Sequence, residues 1–379
     1  MSSPRRILFF LESLSAGGAQ RQTVELIKRL DRARFDPTIL VFHGPRNGDS
    51  NHFLPDLAQL QVPVRNLDLR WTPVDIAVGF LGVIRAVWRE RPAILHCISN
   101  RTSHLARLMR PLLPWGLPVI TSVRTEYTPR QLFYERCEHV ASTRIICNSP
   151  HMERTLSQRC HIPLHKLICI PNGVDVARFA ANPDPGLRQR IAPGATHTAV
   201  MMARIARQKS PHILAAAVGR LKQQGRLPAG FRLFIVGETN SEELQSELTK
   251  VVQAHELGQV ITQISQTTAP ESFYHLADFT VLASLWEGMP NVVIESLAAG
   301  RPVIVSEAAN ASGLIQENVN GWIVPTNDID GLSDKLGLVL SMSPEEIRSL
   351  APACARRAAD FSLTRMVDRY QDIYLQLLN

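Results

Sequence analysis

Arg6-Ile-Leu-Phe-Phe-Leu-Glu-Ser-Leu14, then Ser15-Ala-Gly-Gly-Ala-Gln-Arg21, then Gln22-Thr-Val-Glu-Leu-Ile-Lys-Arg-Leu30 open the chain with an apolar run, a glycine turn and an amphipathic stretch. Val24, Ile27 and Leu30 fall on one stripe of a helix over 20–30, so the periodicity predicts a strand, a tight turn and a helix. The pattern continues outward from there. Short β-rich runs at 38–43, 64–69, 93–99, 118–123, 144–148 and 167–171 are separated by amphipathic stretches such as 77–89. Strands that are apolar on both faces and alternate with helices imply a parallel sheet covered on each side.

The same alternation starts again after Asn182-Pro-Asp-Pro-Gly186 and Ala192-Pro-Gly194, with strands expected at 197–203, 231–237, 260–264, 279–284, 302–306 and 321–325, and helices at 211–224 and 291–299. The composition shift places a boundary near 180–195. The expected class is α/β, with two doubly wound Rossmann-like domains at 1–185 and 186–362. A last amphipathic helix, 363–379, is free to pack back on the first. In such folds ligands bind outside the carboxyl ends of the strands, and two sheets facing each other would place the main crevice there.

With 379 residues, 45% of them hydrophobic and 20% charged, the chain reads as globular and larger than one small core. No apolar stretch approaches the roughly 20 residues that cross a bilayer, and the N-terminal run is broken by Glu12 in a way a secretory leader is not. Six cysteines show no C-x-x-C pair and no zinc spacing, so they read as reduced in a cytoplasmic chain. Residues 1–185 carry 24 Lys/Arg against 15 Asp/Glu, and residues 186–379 carry 17 against 19, so the net charge of +7 is confined to the first half. That half is suited to an anionic partner.

Three segments carry chemistry. Gly17 and Gly18 at a strand-to-helix turn let a phosphate approach backbone N–H groups at a helix start, and a ligand-free tight turn has the same appearance. Met202-Ala-Arg204-Ile-Ala-Arg-Gln-Lys209 puts two cations after a strand, where they can neutralise a diphosphate; an ordinary basic loop fits the same residues. Glu287-Gly-Met-Pro-Asn291-Val-Val-Ile-Glu295 has one carboxylate in a loop and one inside the next helix. Met289, Pro290, Asn291 and Val292 form the helix start between them. Ionised carboxylates are acceptors only, which suits hydroxyl-rich ligands, and a capped helix with one solvated glutamate is the plain alternative.

As a set, these residues resemble the retaining nucleotide-sugar glycosyltransferases of the GT-B fold that carry an E-x7-E motif, the family 4-like group of bacterial polysaccharide and lipid glycosyltransferases. The resemblance covers nearly the whole chain and includes the Pro171-Asn-Gly-Val-Asp175 turn and the Val236-Gly237 strand end. It implies a sugar transferred from a nucleotide-diphosphate donor, UDP-linked on family frequency, to a glycan or lipid-linked acceptor, with a front-face mechanism, no metal and no cofactor. Arg204 and Lys209 would hold the diphosphate, Glu287 the sugar hydroxyls, Glu295 the ribose and Met289–Val292 the phosphates. Gly17 and Gly18 would cover the diphosphate, and Arg21, Arg124 and Asn172 would contact acceptor or sugar; His96, at a strand end, could add a contact, although a lone histidine there is more often structural. Where many members have a histidine after the strand at 118–123, this chain has Arg124-Thr-Glu126, which bears on the choice of sugar.

Asp328-Ile-Asp330 imitates the D-x-D metal motif of the other major glycosyltransferase fold but sits where an N-cap is expected. The stretch 101–115 mixes Arg101, Arg107 and Arg110 with leucines and Trp115, which suits either a core helix or an anionic membrane surface; on the second reading the enzyme is peripheral on the inner face of the cytoplasmic membrane. No nucleic-acid signature is present. Two other function classes share parts of the pattern: a nucleotide-sugar 2-epimerase of related fold, which accounts less naturally for the E-x7-E helix, and a non-catalytic partner protein, which the four intact charged residues disfavour.

Overall fold

The computed structural model describes residues 3–44, 51–239, 241–265 and 267–378. The chain divides into two compact units, one of residues 1–173 with 363–379 and one of residues 174–362.

The first unit is built on seven parallel strands: β1 (Arg5–Leu11), β2 (Phe35–Val41), β3 (Val64–Asn66), β4 (Ile94–Cys97), β5 (Val119–Val123), β6 (Arg144–Cys147) and β7 (Leu167–Cys169), in the order β3-β2-β1-β4-β5-β6-β7. The period of two in a strand decides how β1 is packed. Ile7, Phe9 and Leu11 point into a core closed by the Gly18–Arg29 helix and the C-terminal helix Leu363–Leu378, while Leu8 and Phe10 point into another closed by the Pro73–Glu90 and Asn100–Leu108 helices. An apolar run without alternation is therefore what a sheet covered on both faces requires.

The C-terminal helix returns to this unit and buries Met366, Tyr370 and Tyr374 there. Its entry is tight: a Cβ at Gly173 would lie 2.9 Å from the Cα of Leu363, so the two backbones meet where no side chain fits. Gln22 fixes the same turn from the other side, donating to the Gly173 carbonyl and accepting from its N–H, both at 2.9 Å.

The second unit has six parallel strands: β8 (His197–Met202), β9 (Phe231–Val236), β10 (Ile261–Ile264), β11 (Phe279–Leu282), β12 (Val303–Ser306) and β13 (Gly321–Val324), in the order β10-β9-β8-β11-β12-β13. The division between the units lies at Gly173, earlier than the boundary at 185 that composition suggests. The reason is packing. Val174 and Phe179 are buried in the core of the second unit, where the Phe179 ring meets Tyr274 edge-on at 5.7 Å, so the Pro- and Gly-rich stretch that follows is a loop within this unit.

Candidate active site

In each sheet the strand order reverses beside the first strand of its unit, between β1 and β4 and between β8 and β11. Loops that leave the carboxyl ends of those strands in opposite directions open a place for a ligand. Arg204 and Lys209 follow β8, and Glu287 follows β11, so the second unit brings three of the expected residues to one such point.

The β8 loop is pinned on both sides. Ala203 N–H donates to Val236 at 3.0 Å and Ile205 N–H to Glu238 at 2.9 Å. Gly237, at φ +152°, makes this possible, because a Cβ there would stand 2.2 Å from the Ala203 carbonyl oxygen. On the other side Gln208 is tied to the β11 loop, accepting from Leu285 N–H at 2.8 Å through its carbonyl and donating from its side chain to the Trp286 carbonyl at 2.7 Å. Between these anchors Arg204 is exposed, whereas Lys209 turns inward and forms an ion pair with Glu287, whose side chain is only 8% exposed. A pair this buried has already lost most of its water, so groups brought beside it interact in a medium of lower effective dielectric.

Glu287 leads directly into the Asn291–Ala298 helix. Pro290 is its N-cap, no side chain caps it, and no acidic residue occupies its first turn, so the positive end of the dipole is left uncompensated by side-chain charge. Met289 and Pro290 are buried and Asn291 and Val292 half-buried around this helix start. Glu295 lies in the second turn, almost fully buried, and accepts a hydrogen bond from the Tyr274 hydroxyl at 2.8 Å. Tyr274 is a partner of a candidate site residue that sequence reading missed. The signal was a tyrosine five residues before β11, on the otherwise apolar side of a short helix.

Asp328 accepts from Gly331 N–H at 2.9 Å as the N-cap of Ile329–Leu340, and Asp330 pairs with Arg220 at 2.7 Å. The two carboxylates thus have separate structural partners.

In the first unit the expected residues are spread over several strand ends. Gly17, in extended backbone, caps the Gly18–Arg29 helix without any side-chain cap, and Arg21 is half-buried in its first turn. Arg124 follows β5 and is held from two directions, donating to the Tyr370 hydroxyl at 2.9 Å and to Asn172 Oδ1 at 3.4 Å. The C-terminal helix thus fixes this guanidinium.

His96 does not meet the expectation of a ligand contact. It is fully buried in β4, with Nδ1 2.8 Å from the Tyr374 hydroxyl and Nε2 3.0 Å from Ser122 Oγ, so both ring nitrogens are used inside the core. Burial, followed by the charge of Arg124, pushes its pKa down to about 3 and keeps the imidazole neutral.

The basic stretch 101–115 is also divided. Arg107 is buried; it donates from Nη1 to Glu135 at 2.7 Å, from Nε to Ser142 Oγ at 2.7 Å and from Nη2 to Thr121 Oγ1 at 2.8 Å, so it is a core residue and not part of a lipid-facing surface. Arg101 pairs with Glu12 at 2.9 Å and lies over the Trp71 ring.

Comparison with known proteins places both units among glycosyltransferases. The description "Glycosyltransferase Family 4" matches residues 16–178 and "Glycosyl transferases group 1" matches residues 188–356. The UDP-Gal:alpha-D-GlcNAc-diphosphoundecaprenol alpha-1,3-galactosyltransferase of Escherichia coli is 24% identical, over 95% of this chain and 94% of its own length. A D-inositol 3-phosphate glycosyltransferase of Thermobispora bispora is 23% identical over 96% and 90%. Among solved structures, a glycosyltransferase from Rickettsia africae superposes with a TM-score of 0.83 at 19% identity, covering all of both chains. HepE of Anabaena in complex with UDP gives 0.82 at 16%, over 98% of this chain and all of that one.

Proposed function

This chain belongs to the family 4-like glycosyltransferases of the GT-B fold, and on that basis we propose that it moves a sugar from a nucleotide-diphosphate donor, UDP-linked, to a lipid-linked or glycan acceptor. The observation that carries this reading is the Lys209–Glu287 pair beside exposed Arg204, at the switch point of the second sheet and next to an uncompensated helix start.

The second unit binds the donor. Arg204 and Lys209 take the negative charge that develops on the leaving diphosphate, together with the N–H groups of Met289–Val292. Glu287 accepts from sugar hydroxyls, and because Lys209 already holds it, its position is set before the donor arrives. Glu295, steadied by Tyr274, accepts from the ribose. The first unit binds the acceptor through its own strand ends, with Arg21, Arg124 and Asn172, and Gly17 and Gly18 are phosphate contacts. The acceptor hydroxyl attacks on the face from which the diphosphate departs, and the proton passes to the leaving phosphate oxygen, so configuration is retained and no protein nucleophile is used. Side-chain cations carry the charge that a divalent ion carries elsewhere.

Support for a lipid-linked acceptor comes from the E. coli relative, whose name specifies a diphosphoundecaprenol substrate and UDP-galactose, and support for UDP from the HepE complexes. The test is incubation of the chain with UDP-galactose, UDP-glucose or UDP-N-acetylglucosamine and a polyprenyl-diphosphate sugar acceptor, in EDTA, with the anomer of the product read by NMR. An α-linked product from an α-linked donor is expected. A β-linked product would overturn the retaining mechanism, and activity only on adding a divalent ion would overturn the role given to Arg204 and Lys209.

A further inference from the structure

β6 and β7 close one edge of the first sheet, and each ends on a cysteine. The two strands run parallel, with Ile145 beside Leu167, Ile146 beside Ile168 and Cys147 beside Cys169. Register partners on neighbouring strands point to the same face, and the strands stand about 4.8 Å apart. Both side chains accordingly pack in one cluster with Val123, Met152 and Leu156. Cysteines whose Cα atoms are about 4.4–6.8 Å apart can be bridged, so this pairing meets the distance that a disulfide needs. β7 is the last strand of the sheet, and its end can shift without breaking a second ladder.

The two residues are free thiols and already partners. Cys147 Sγ lies 3.6 Å from the carbonyl oxygen of Ile168, the residue before Cys169, and its S–H also serves the Cys169 sulfur. That hydrogen bond, working against partial burial, holds the Cys169 thiol below the ordinary thiol range; the same bond, together with burial, pushes the Cys147 thiol up. Burial moves Cys97, Cys160 and Cys354 upward as well. Cys169 is half-buried and Cys147 fully buried. One thiol thus meets solvent with thiolate character, and its shielded neighbour stands within reach. This is the division of labour between the attacking and resolving partners of thiol–disulfide exchange.

We infer that Cys147 and Cys169 form a modification site that takes a small-molecule disulfide and closes to a Cys147–Cys169 disulfide. The Cys169 thiolate attacks one sulfur of the reagent, forming a mixed disulfide and expelling a thiolate. Cys147 then loses its proton and attacks Cys169 Sγ, expelling the second thiolate. The protons of Cys147 and Cys169 end on the two departing thiolates, so two protein thiols are oxidised and one small disulfide is reduced to two thiols. An excess of small thiol reverses both steps. The new bond would fix the strand ends that lead into Asn148, whose Nδ2 donates to the Arg124 carbonyl at 3.1 Å, and into Asn172, which accepts from the Arg124 guanidinium. Neither a sugar donor nor an acceptor enters these steps, so the inference stands apart from the transfer reaction.

The experiment treats the full chain, carrying Cys137→Ser to remove the exposed cysteine, with glutathione disulfide, quenches with iodoacetamide and maps the peptides by mass spectrometry. The expected product is a linked Cys147–Cys169 peptide pair that retains no glutathione. Alkylation of Cys169 should fall by about tenfold or more and return with dithiothreitol. With Cys147→Ser added, the reaction should stop at a glutathione adduct on Cys169; with Cys169→Ser added, Cys147 should stay unreacted. Melting curves of the reduced chains identify any variant that fails to fold, and the chain that keeps both cysteines then decides alone. A glutathione adduct that persists on its Cys169 overturns the inference, because Cys147 then does not reach it. So does a Cys169 that reacts no faster than Cys97 and Cys354, or a linked pair that appears only in urea.

Discussion

Arg107 and Arg204 look alike in the sequence, each an arginine close to a sheet strand and near other basic residues, and the two units use them in opposite ways. In the first unit Arg107 is 4% exposed and spends its donors on Glu135, Ser142 and Thr121, which makes it part of the packing between the Asn100–Leu108 and Pro129–Glu138 helices. In the second unit Arg204 stays in water while Lys209, five residues on, takes the buried carboxylate. Arg107 is closed internally; the β8 loop of the second unit keeps one cation outside and one half-committed. A charge left available near a strand's carboxyl end is what distinguishes a binding site from a core that happens to contain ions.

The largest effect expected from this contrast is on stability. Arg107→Ala leaves the Glu135 carboxylate, 1% exposed, without its cation, and removing one partner of a buried pair costs about 3–5 kcal/mol. Urea unfolding should show the unfolding free energy falling by that amount, while Arg107→Met/Glu135→Leu, which removes both charges, should recover most of it. If the single variant unfolds like the native chain, the pair is not structural and the two arginines are less different than they look.

Arg204→Ala should reverse the pattern. An exposed residue outside the core changes stability by no more than about 0.5 kcal/mol, whereas losing a group that stabilises departing charge lowers kcat by about a hundredfold or more. Urea midpoints and steady-state turnover with a UDP-sugar, measured on the same preparation, test both halves. A change confined to KM would mean that Arg204 binds donor and transition state equally.

His96 sharpens the contrast by pH. The unfolded chain takes a proton on this imidazole near pH 6.5, but the folded chain, with the pKa at about 3, does not. Below 6.5 the unfolded state therefore binds the extra proton, so the contribution of His96 is complete above about pH 7 and is lost as pH falls toward 3. Between pH 7 and pH 5 the loss is about 2 kcal/mol. Stability measured at pH 7, 6 and 5 should fall less steeply in His96→Gln than in the native chain, by up to one proton per molecule; parallel curves would show that the imidazole is protonated in the fold.

The strands were legible because a sheet covered on both faces needs unbroken apolar runs, and each of the thirteen expected strands is present with its ends shifted by a few residues. Glu287 and Glu295 were legible for a similar reason: a loop, a proline and a helix start are local events that spacing alone defines. Three things were not. The boundary at Gly173 depends on where Val174 and Phe179 are buried, which no composition shift reports. The fates of His96 and Arg124 depend on Tyr374 and Tyr370, more than two hundred residues away on the returning helix. The stretch 77–89 reads as amphipathic, yet Val74, Val78, Leu81 and Trp88 of the Pro73–Glu90 helix are exposed, because an apolar residue does not announce which side the sheet lies on.

Asp328 and Asp330 give the smallest test, and it concerns the second unit's carboxylates as the others concern its cations. Glu287 is buried against Lys209 at the switch point, but these two follow β13 at the edge of the sheet, one satisfying a helix N-terminus and the other in an exposed pair with Arg220. A capping side chain is worth about 1 kcal/mol, and an exposed ion pair well under that. Asp328→Ala should thus lower the unfolding free energy measured in urea by about 1 kcal/mol and Asp330→Ala by at most about 0.5 kcal/mol. Turnover in EDTA, magnesium or manganese should be the same for both variants as for the native chain. If either substitution abolished a metal-stimulated activity, the motif would be a cation site after all, and the charge that Arg204 and Lys209 are assigned would have to be shared with it.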